Sequence, residues 1–544
     1  MISLKNFSIF HENAYVFYVS LYSHLWYDKV IKLIKKGEKP LNYKSTRNSS
    51  ICVSASQAIA QGISAEGGLF VPEAFPHYSH TDLLELARCS YTERAERILS
   101  AFLSDFTAEE IHECVTAAYT NGKFEKDIPA PVTSLKNGMH MLELWHGPTC
   151  AFKDMALQLL PHLLTKSLQK IHSSKTALIL VATSGDTGKA ALEGFKDVDG
   201  TLIQVFYPQN GVSPMQKRQM CTQEGNNVAV CAIEGNFDDA QTGVKKIFTD
   251  PEIKRLLEQN KLMFSSANSI NWGRLLPQIV YYFSAYCDLL ADRKCKCAGE
   301  KINIVVPTGN FGNILAAYYA KKMGLPVHKL ICASNFNNVL TEFINTGVYN
   351  RKREFHTTIS PSMDILVSSN LERLLYDLTG EDSERVAGWM NELASNGRYQ
   401  VGEDVLRPLH ELFYAGYCSD EETKKVIKQL YESEHYLCDT HTAVAINVYE
   451  QYVKDSKDTE TPSVIVSTAS PYKFADSVLS AVSEQYREDA SEFDKIQELS
   501  SLTGVAVPPQ IAELQTKAVR FRTICSRENM KEIVLKTAKI EPQA

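Results

Sequence analysis

Apolar residues recur along this chain in two rhythms. Between residues 81 and 119 they fall at helical spacing, with Leu83, Leu84, Leu86 and Ala87 followed by Ala95, Ile98 and Leu99. Beyond residue 135 the pattern changes to short unbroken apolar runs at 139–144, 177–182, 202–207, 227–233, 302–307, 329–333 and 464–468. Several runs are continuous rather than alternating, as expected of parallel strands covered on both faces. Helix-like stretches separate them, so the pattern predicts an α/β protein with parallel or mixed twisted sheets flanked by helices. Gly67 and Gly68 before Leu69–Phe70–Val71–Pro72 read as a turn entering a short strand. Residues 43–135 are expected to form a mainly helical N-terminal unit ahead of a larger region, 136–544.

The first 42 residues stand apart. Positions 14–27 are apolar and aromatic but interrupted by His24, and about 20 apolar residues are needed to span a bilayer. The lysines at 29, 32, 35 and 36 follow this stretch, whereas a secretory signal carries its positive charge first. A poorly ordered or misassigned extension is the expectation, with a short amphipathic helix as the other reading. The formal charge of −7 offers no electrostatic case for nucleic acid or an anionic membrane. An anionic substrate would therefore need a locally basic pocket. Thirteen cysteines are scattered without C-x-x-C pairs, which argues against zinc and a disulfide framework, and for reduced thiols in the cytoplasm.

Chemistry enters after the strands. In Glu143-Leu-Trp-His146-Gly-Pro-Thr149-Cys-Ala-Phe-Lys153-Asp154 a strand ends, Gly147-Pro148 turns, and a helix begins. Lys153 then falls in a first helical turn beyond a buried strand. The helix dipole and burial both favour its neutral amine there. A neutral amine suits imine chemistry; the other reading is a surface lysine opening an amphipathic helix.

Thr183-Ser184-Gly185-Asp186-Thr187-Gly188-Lys189 follows the 177–182 strand, and its small residues would expose N–H groups to an anion. A Walker A loop fails here, because the first glycine would fall at Thr183 and Ala190 replaces the hydroxyl after the lysine. Thr308-Gly309-Asn310-Phe311-Gly312-Asn313 repeats the strand, glycine loop, helix pattern, with G-x-x-G spacing rather than the dinucleotide G-x-G-x-x-G. Ser467-Thr468-Ala469-Ser470-Pro471 puts hydroxyls at another strand's C-terminal end. Ser265 to Arg274, with Asn268, Ser269 and Asn271, gathers donors suited to phosphate; a capped helix start is the plainer reading.

Taken in order, HGPTCAFKD, SGDTGKAA, SANSINWGR, PTGNFGN and STASPYKF resemble the threonine synthase family, enzymes of pyridoxal 5'-phosphate (PLP) fold type II, in its longer bacterial and fungal form. The resemblance runs from Tyr43 to Arg520; Cys150 departs from it, where the family often has leucine. It implies two lobes, about 150–265 and about 266–544. It implies that Lys153 holds PLP as a Schiff base, that Gly309, Asn310, Phe311, Gly312 and Asn313 hold its phosphate, and that Thr468 bonds its pyridine nitrogen. Asp186 would lie beside the cofactor ring. Ser184 and Thr187 would bind the substrate carboxylate. Lys217, Asn268, Ser269 and Arg274 would bind the substrate phosphate. The implied reaction turns O-phospho-L-homoserine and water into L-threonine and phosphate, on a cytoplasmic monomer or homodimer with no metal. The rivals are a phospho-lyase making 2-oxobutyrate and a non-catalytic phosphate-binding protein.

Overall fold

The computed structural model describes residues 40–125, 128–136, 138–183, 185–210 and 212–541. The expectation for 1–42 lies almost wholly outside them.

Two sheets organise residues 42–541. The larger has six strands in the order Phe413–Tyr417, Val327–Ser334, Ile302–Pro307, Ser463–Ser467, Met139–Glu143 and Val132–Ser134, and only the last pair is antiparallel. The smaller has five, all parallel, in the order Ile524–Cys525, Val228–Ile233, Thr201–Pro208, Thr176–Ala182 and Leu262–Ser265. All seven anticipated apolar runs are strands. Those of 139–143, 302–307 and 463–467 are buried at every position, as helices on both faces require.

Each sheet has its own core. Leu178, Leu180, Phe206, Ile233 and Ile253 form one beneath the smaller sheet, together with Cys525, Met530 and Val534 from the far end of the chain. A fully buried side chain of this kind stabilises by roughly 1.5–3 kcal/mol. Continuity along the chain assigns 524–540 to the larger lobe. Hydrogen bonding instead lays Ile524–Cys525 beside Val228–Ile233, and the helix Met530–Thr537 follows it onto the smaller sheet.

The N-terminal part begins with a three-stranded antiparallel sheet, Asn48–Val53, Tyr43–Ser45 and Phe70–Pro72. The helical periodicity of 81–119 resolves into His80–Leu86, Tyr91–Phe102 and Ala108–Tyr119. Each starts at a capping box, from Ser79, Ser90 and Thr107 respectively. The first two pack on the long buried helix Trp272–Ala291, where Arg94 donates to Asp288 at 2.6 Å and to Ser284 Oγ at 2.8 Å, and the third packs on the second and on the helix Leu160–Lys170. Among the described residues no helix is long and apolar enough to cross a membrane. All thirteen cysteines are free thiols.

Candidate active site

The segment after Met139–Glu143 is stitched to the segment after Ser463–Ser467. Leu144 N–H donates to Ser467 O (2.9 Å), Phe152 N–H to Thr468 O (2.8 Å) and Ser470 N–H to Cys150 O (3.1 Å), and Ala151 bridges Ala469. Within the turn, Asp154 accepts from Thr149 N–H at 2.8 Å and from its hydroxyl at 2.7 Å. Burial pushes the Asp154 carboxyl up to about 6. Gly147 lies so close that a Cβ there would stand 2.7 Å from that carboxylate. The interlock leaves Lys153 as N-cap of the short helix Asp154–Leu157 and carries it beside Thr468.

Lys153 Nζ lies 3.6 Å from Asp186 Oδ2 and donates to Ser362 Oγ at 3.3 Å. Burial lowers its pKa to about 8; Lys473 and Arg274 push the same way, and Asp186 opposes them. Asp186 in turn accepts from Lys473 Nζ (2.6 Å), Gln216 Nε2 (3.0 Å) and Ser362 Oγ (3.1 Å). Burial alone would raise its carboxyl, but Lys473 and Lys153 override that and hold it well below the usual carboxylate range. Lys473 is wholly buried and also donates to Thr149 O at 3.0 Å. One buried carboxylate thus serves two lysines.

Asp186 opens the helix Asp186–Phe195 after Gly185, whose φ of 137° no side-chain-bearing residue adopts comfortably. Thr183 Oγ1 accepts the N–H groups of Gly185 and Gly188, both at 2.9 Å. Lys189 turns away to Glu193 at 2.9 Å and to Gln223. In the other glycine loop Phe311 takes a left-handed φ of 64° and starts the helix Gly312–Lys322. A Cβ on Gly309 would stand 2.9 Å from Ser362 O. Asn370 ties this loop to the next candidate segment, donating to Asn310 O at 3.1 Å and to Ser269 Oγ at 2.9 Å. Asn313 Oδ1 accepts from Tyr281 and Tyr282, and its Nδ2 is buried with no protein partner.

Lys153, Asp186 and the Gly309 loop therefore converge, directly or through Ser362, and Thr468 is joined to the lysine's segment through the Phe152 N–H. Arg274 is buried in the first turn of Trp272–Ala291; Nη1 donates to Ala267 O at 2.5 Å, and burial lowers its pKa to about 10. Thr187 is half-buried in the first turn of its helix, and Asn268 is exposed. Lys217 is also exposed, while the preceding residue, Gln216, is the one that reaches Asp186. Ser184 lies outside the described residues. Sequence reasoning missed Ser362, Gln216, Asn370, His441 and Asp439, which carry no motif. Lys473 stood inside STASPYKF and was given no role.

The residues fit a phosphate-bearing aldehyde. The first N–H groups of a helix have no intrahelical partner and the helix end is positive. The eleven-residue helix Gly312–Lys322 presents such an end behind a glycine loop, near a low-pKa amine. Three family models match the chain: threonine synthase N terminus at 42–119, pyridoxal-phosphate dependent enzyme at 140–469, and threonine synthase C-terminal at 442–534. Threonine synthase of Saccharomyces cerevisiae is 37% identical, over 81% of this chain and 89% of its own length. That of Pseudomonas aeruginosa is 39% identical, over 80% and 90%. Human threonine synthase-like 1 is 41% identical over 78% of this chain, which spans only 58% of that protein. The crystal structure of PLP-bound threonine synthase from Brucella melitensis superposes with a TM-score of 0.80 at 35% identity, over 92% of this chain and all of that one. The yeast enzyme's structure gives 0.81 at 34%, over 92% and 98%.

Proposed function

This chain belongs to the threonine synthase family of pyridoxal-phosphate dependent enzymes, and from that premise we propose that it converts O-phospho-L-homoserine and water into L-threonine and phosphate, with PLP held at Lys153. The observation that carries the reading is the Lys153 amine: its side chain only 11% exposed, its pKa lowered to about 8, and set between Asp186 and Ser362 where two strand ends meet. The Gly309–Asn313 loop would hold the cofactor phosphate and Thr468 the pyridine nitrogen. Bound there, PLP supplies a sink for the electrons released at the substrate carbons.

At pH 7 roughly a tenth of an amine with this pKa is uncharged, enough for general-base work. Lys153 takes the proton at the substrate Cα and then at Cβ. After phosphate leaves Cγ, it returns a proton there; water then adds its hydroxyl at Cβ, and a proton returns to Cα. Ser184 and Thr187 would bind the substrate carboxylate. Arg274, with Asn268, Ser269 and Lys217, would bind the leaving phosphate, where fixed positive charge lowers the barrier. The proposal takes the enzyme as cytoplasmic, and as a monomer or homodimer.

The test is to incubate purified protein with PLP and O-phosphohomoserine, and to assay threonine, 2-oxobutyrate and phosphate together. Threonine and phosphate should appear in equal amounts. Phosphate accompanied by 2-oxobutyrate would make the protein a phospho-lyase instead. Lys153→Ala should lose the visible absorbance of bound PLP and at least about 10⁴-fold in turnover.

A further inference from the structure

The turn Pro361–Met363 delivers one hydroxyl to the lysine amine, and nothing about its own sequence marks it. We propose that Ser362 is a further catalytic residue, whose hydroxyl commits its proton to Asp186 and uses its oxygen to hold and aim Lys153 Nζ. The proposal rests on the reading of Lys153 as the reacting amine.

A hydroxyl has one proton to give and lone pairs to accept with. Ser362 Oγ has two neighbours in reach, Asp186 Oδ2 at 3.1 Å and Lys153 Nζ at 3.3 Å. Asp186, held as a carboxylate by Lys473 and Lys153, can only accept. The serine proton therefore points at Asp186, and the oxygen faces the amine. An uncharged Lys153 donates one N–H to that oxygen, which leaves its own lone pair directed elsewhere. A protonated Lys153 makes the same bond more strongly. The charged groups facing Lys153 are Asp186, Lys473 and Arg274; Ser362 adds a neutral acceptor to them. Its proton stays in place throughout.

The hydroxyl is presented from a backbone fixed by other bonds. Ser362 N–H donates to His441 Nε2 at 3.1 Å. With Nε2 accepting, the imidazole proton sits on Nδ1, which donates to Asp439 Oδ1 at 2.9 Å. Asp439 is also bonded by the His441 N–H at 2.8 Å and by the Thr442 hydroxyl. Thr440 Oγ1 anchors Ile359 O at 2.8 Å, and Asn335 Nδ2 holds Ser360 Oγ at 3.0 Å. None of these bonds uses the Ser362 side chain, so Ser362→Ala should fold. The Ser362 carbonyl meanwhile abuts Gly309, so this one turn touches both the amine and the loop that would hold the phosphate.

The experiment measures the acylation rate of Lys153 against pH in cofactor-free protein, read by peptide mass. Wild type should titrate near 8. Ser362→Ala should titrate lower by about half a unit or more, because a bond to the charged form is lost, and Ser362→Thr should restore it. In the PLP-loaded enzyme, kcat should fall about ten- to a hundredfold with KM changed less than about twofold, and the rising limb of the pH profile should move the same way. Should Ser362→Ala not fold, Ser362→Cys, of similar size and a weaker acceptor, should show a smaller shift of the same sign. A folded variant whose Lys153 titration and kcat match wild type overturns the proposal. If Lys153→Ala keeps its PLP absorbance and turnover, the parent reading fails instead, while the titration still judges the serine bond.

Discussion

The loop after Thr176–Ala182 and the loop after Ile302–Pro307 each carry one glycine, Gly185 and Gly309, and each lead into a helix with a second glycine, Gly188 and Gly312, in its first turn. In the first, Gly185 makes room for the Gln216 side chain, and Thr183 takes up the N–H groups of Gly185 and Gly188. What that loop delivers is a charge, Asp186, to the two lysines. In the second, Gly309 makes room for the backbone of the Ser362 turn, and the loop delivers no charged side chain. It offers a helix start and a left-handed Phe311. Two similar glycine patterns thus serve different physics: one places a carboxylate beside the amine, and the other presents the start of a helix with no charged side chain.

The contrast breaks most visibly at Asp186. Asp186→Asn leaves Lys473 buried without its counter-charge, which should cost about 3–5 kcal/mol in denaturant unfolding. Turnover should fall by about 10³-fold or more. The pH dependence has a definite sign. The folded pKa of Asp186 is depressed, so its stabilisation is present above the unfolded value near ~4 and is lost as pH falls below it. The variant should lack that part of the acid destabilisation. An Asn variant with wild-type stability would remove the charge role from this loop.

A paired glycine test sharpens the comparison. Gly185→Ala meets both a φ of 137° and a Gln216 side chain 2.2 Å from the new Cβ, so roughly 2–4 kcal/mol should be lost. Gly309→Ala meets a backbone carbonyl at 2.9 Å and keeps an ordinary φ, so stability should fall by about 1–2 kcal/mol. Its larger effect should be on PLP affinity, weaker by about tenfold or more in a cofactor titration. Equal effects of both variants on cofactor affinity would erase the distinction.

The smallest effect belongs to Lys189, whose place in SGDTGK invites a phosphate role. Lys189→Met should cost about 1–2 kcal/mol and leave PLP affinity unchanged. Burial works to raise Glu193, but Lys189 and Gln223 hold it down at about 2. Its contribution is present above its unfolded pKa of ~4.3 and is lost as pH falls toward the folded value. The variant should show less of that loss in acid unfolding. Weakened PLP binding would restore a phosphate role to this lysine.

Seven strands were legible because a strand buried on both faces must be apolar throughout, and that shows in any window of 302–307 or 464–468. Leu262–Ser265, Phe413–Tyr417 and Ile524–Cys525 were not legible. They are short or interrupted by glycine, and their pairing comes from neighbours far along the chain. The turn around Lys153 was legible for a local reason: Gly147, Thr149 and Asp154 act on one another within eight residues.

What only the tertiary structure decided is the company that amine keeps. Lys473 is 320 residues along the chain from Lys153, Ser362 is 209 away, and Gln216 is 30 from Asp186. No periodicity links such positions, because strands adjacent in a sheet but distant in the chain set Lys153 beside Lys473, and the meeting of the two sheets then brings Asp186 to both. The sequence alone determined that a lysine would follow a buried strand. Burial beside Lys473 and Arg274, against the opposing carboxylate of Asp186, then determined how readily it gives up its proton.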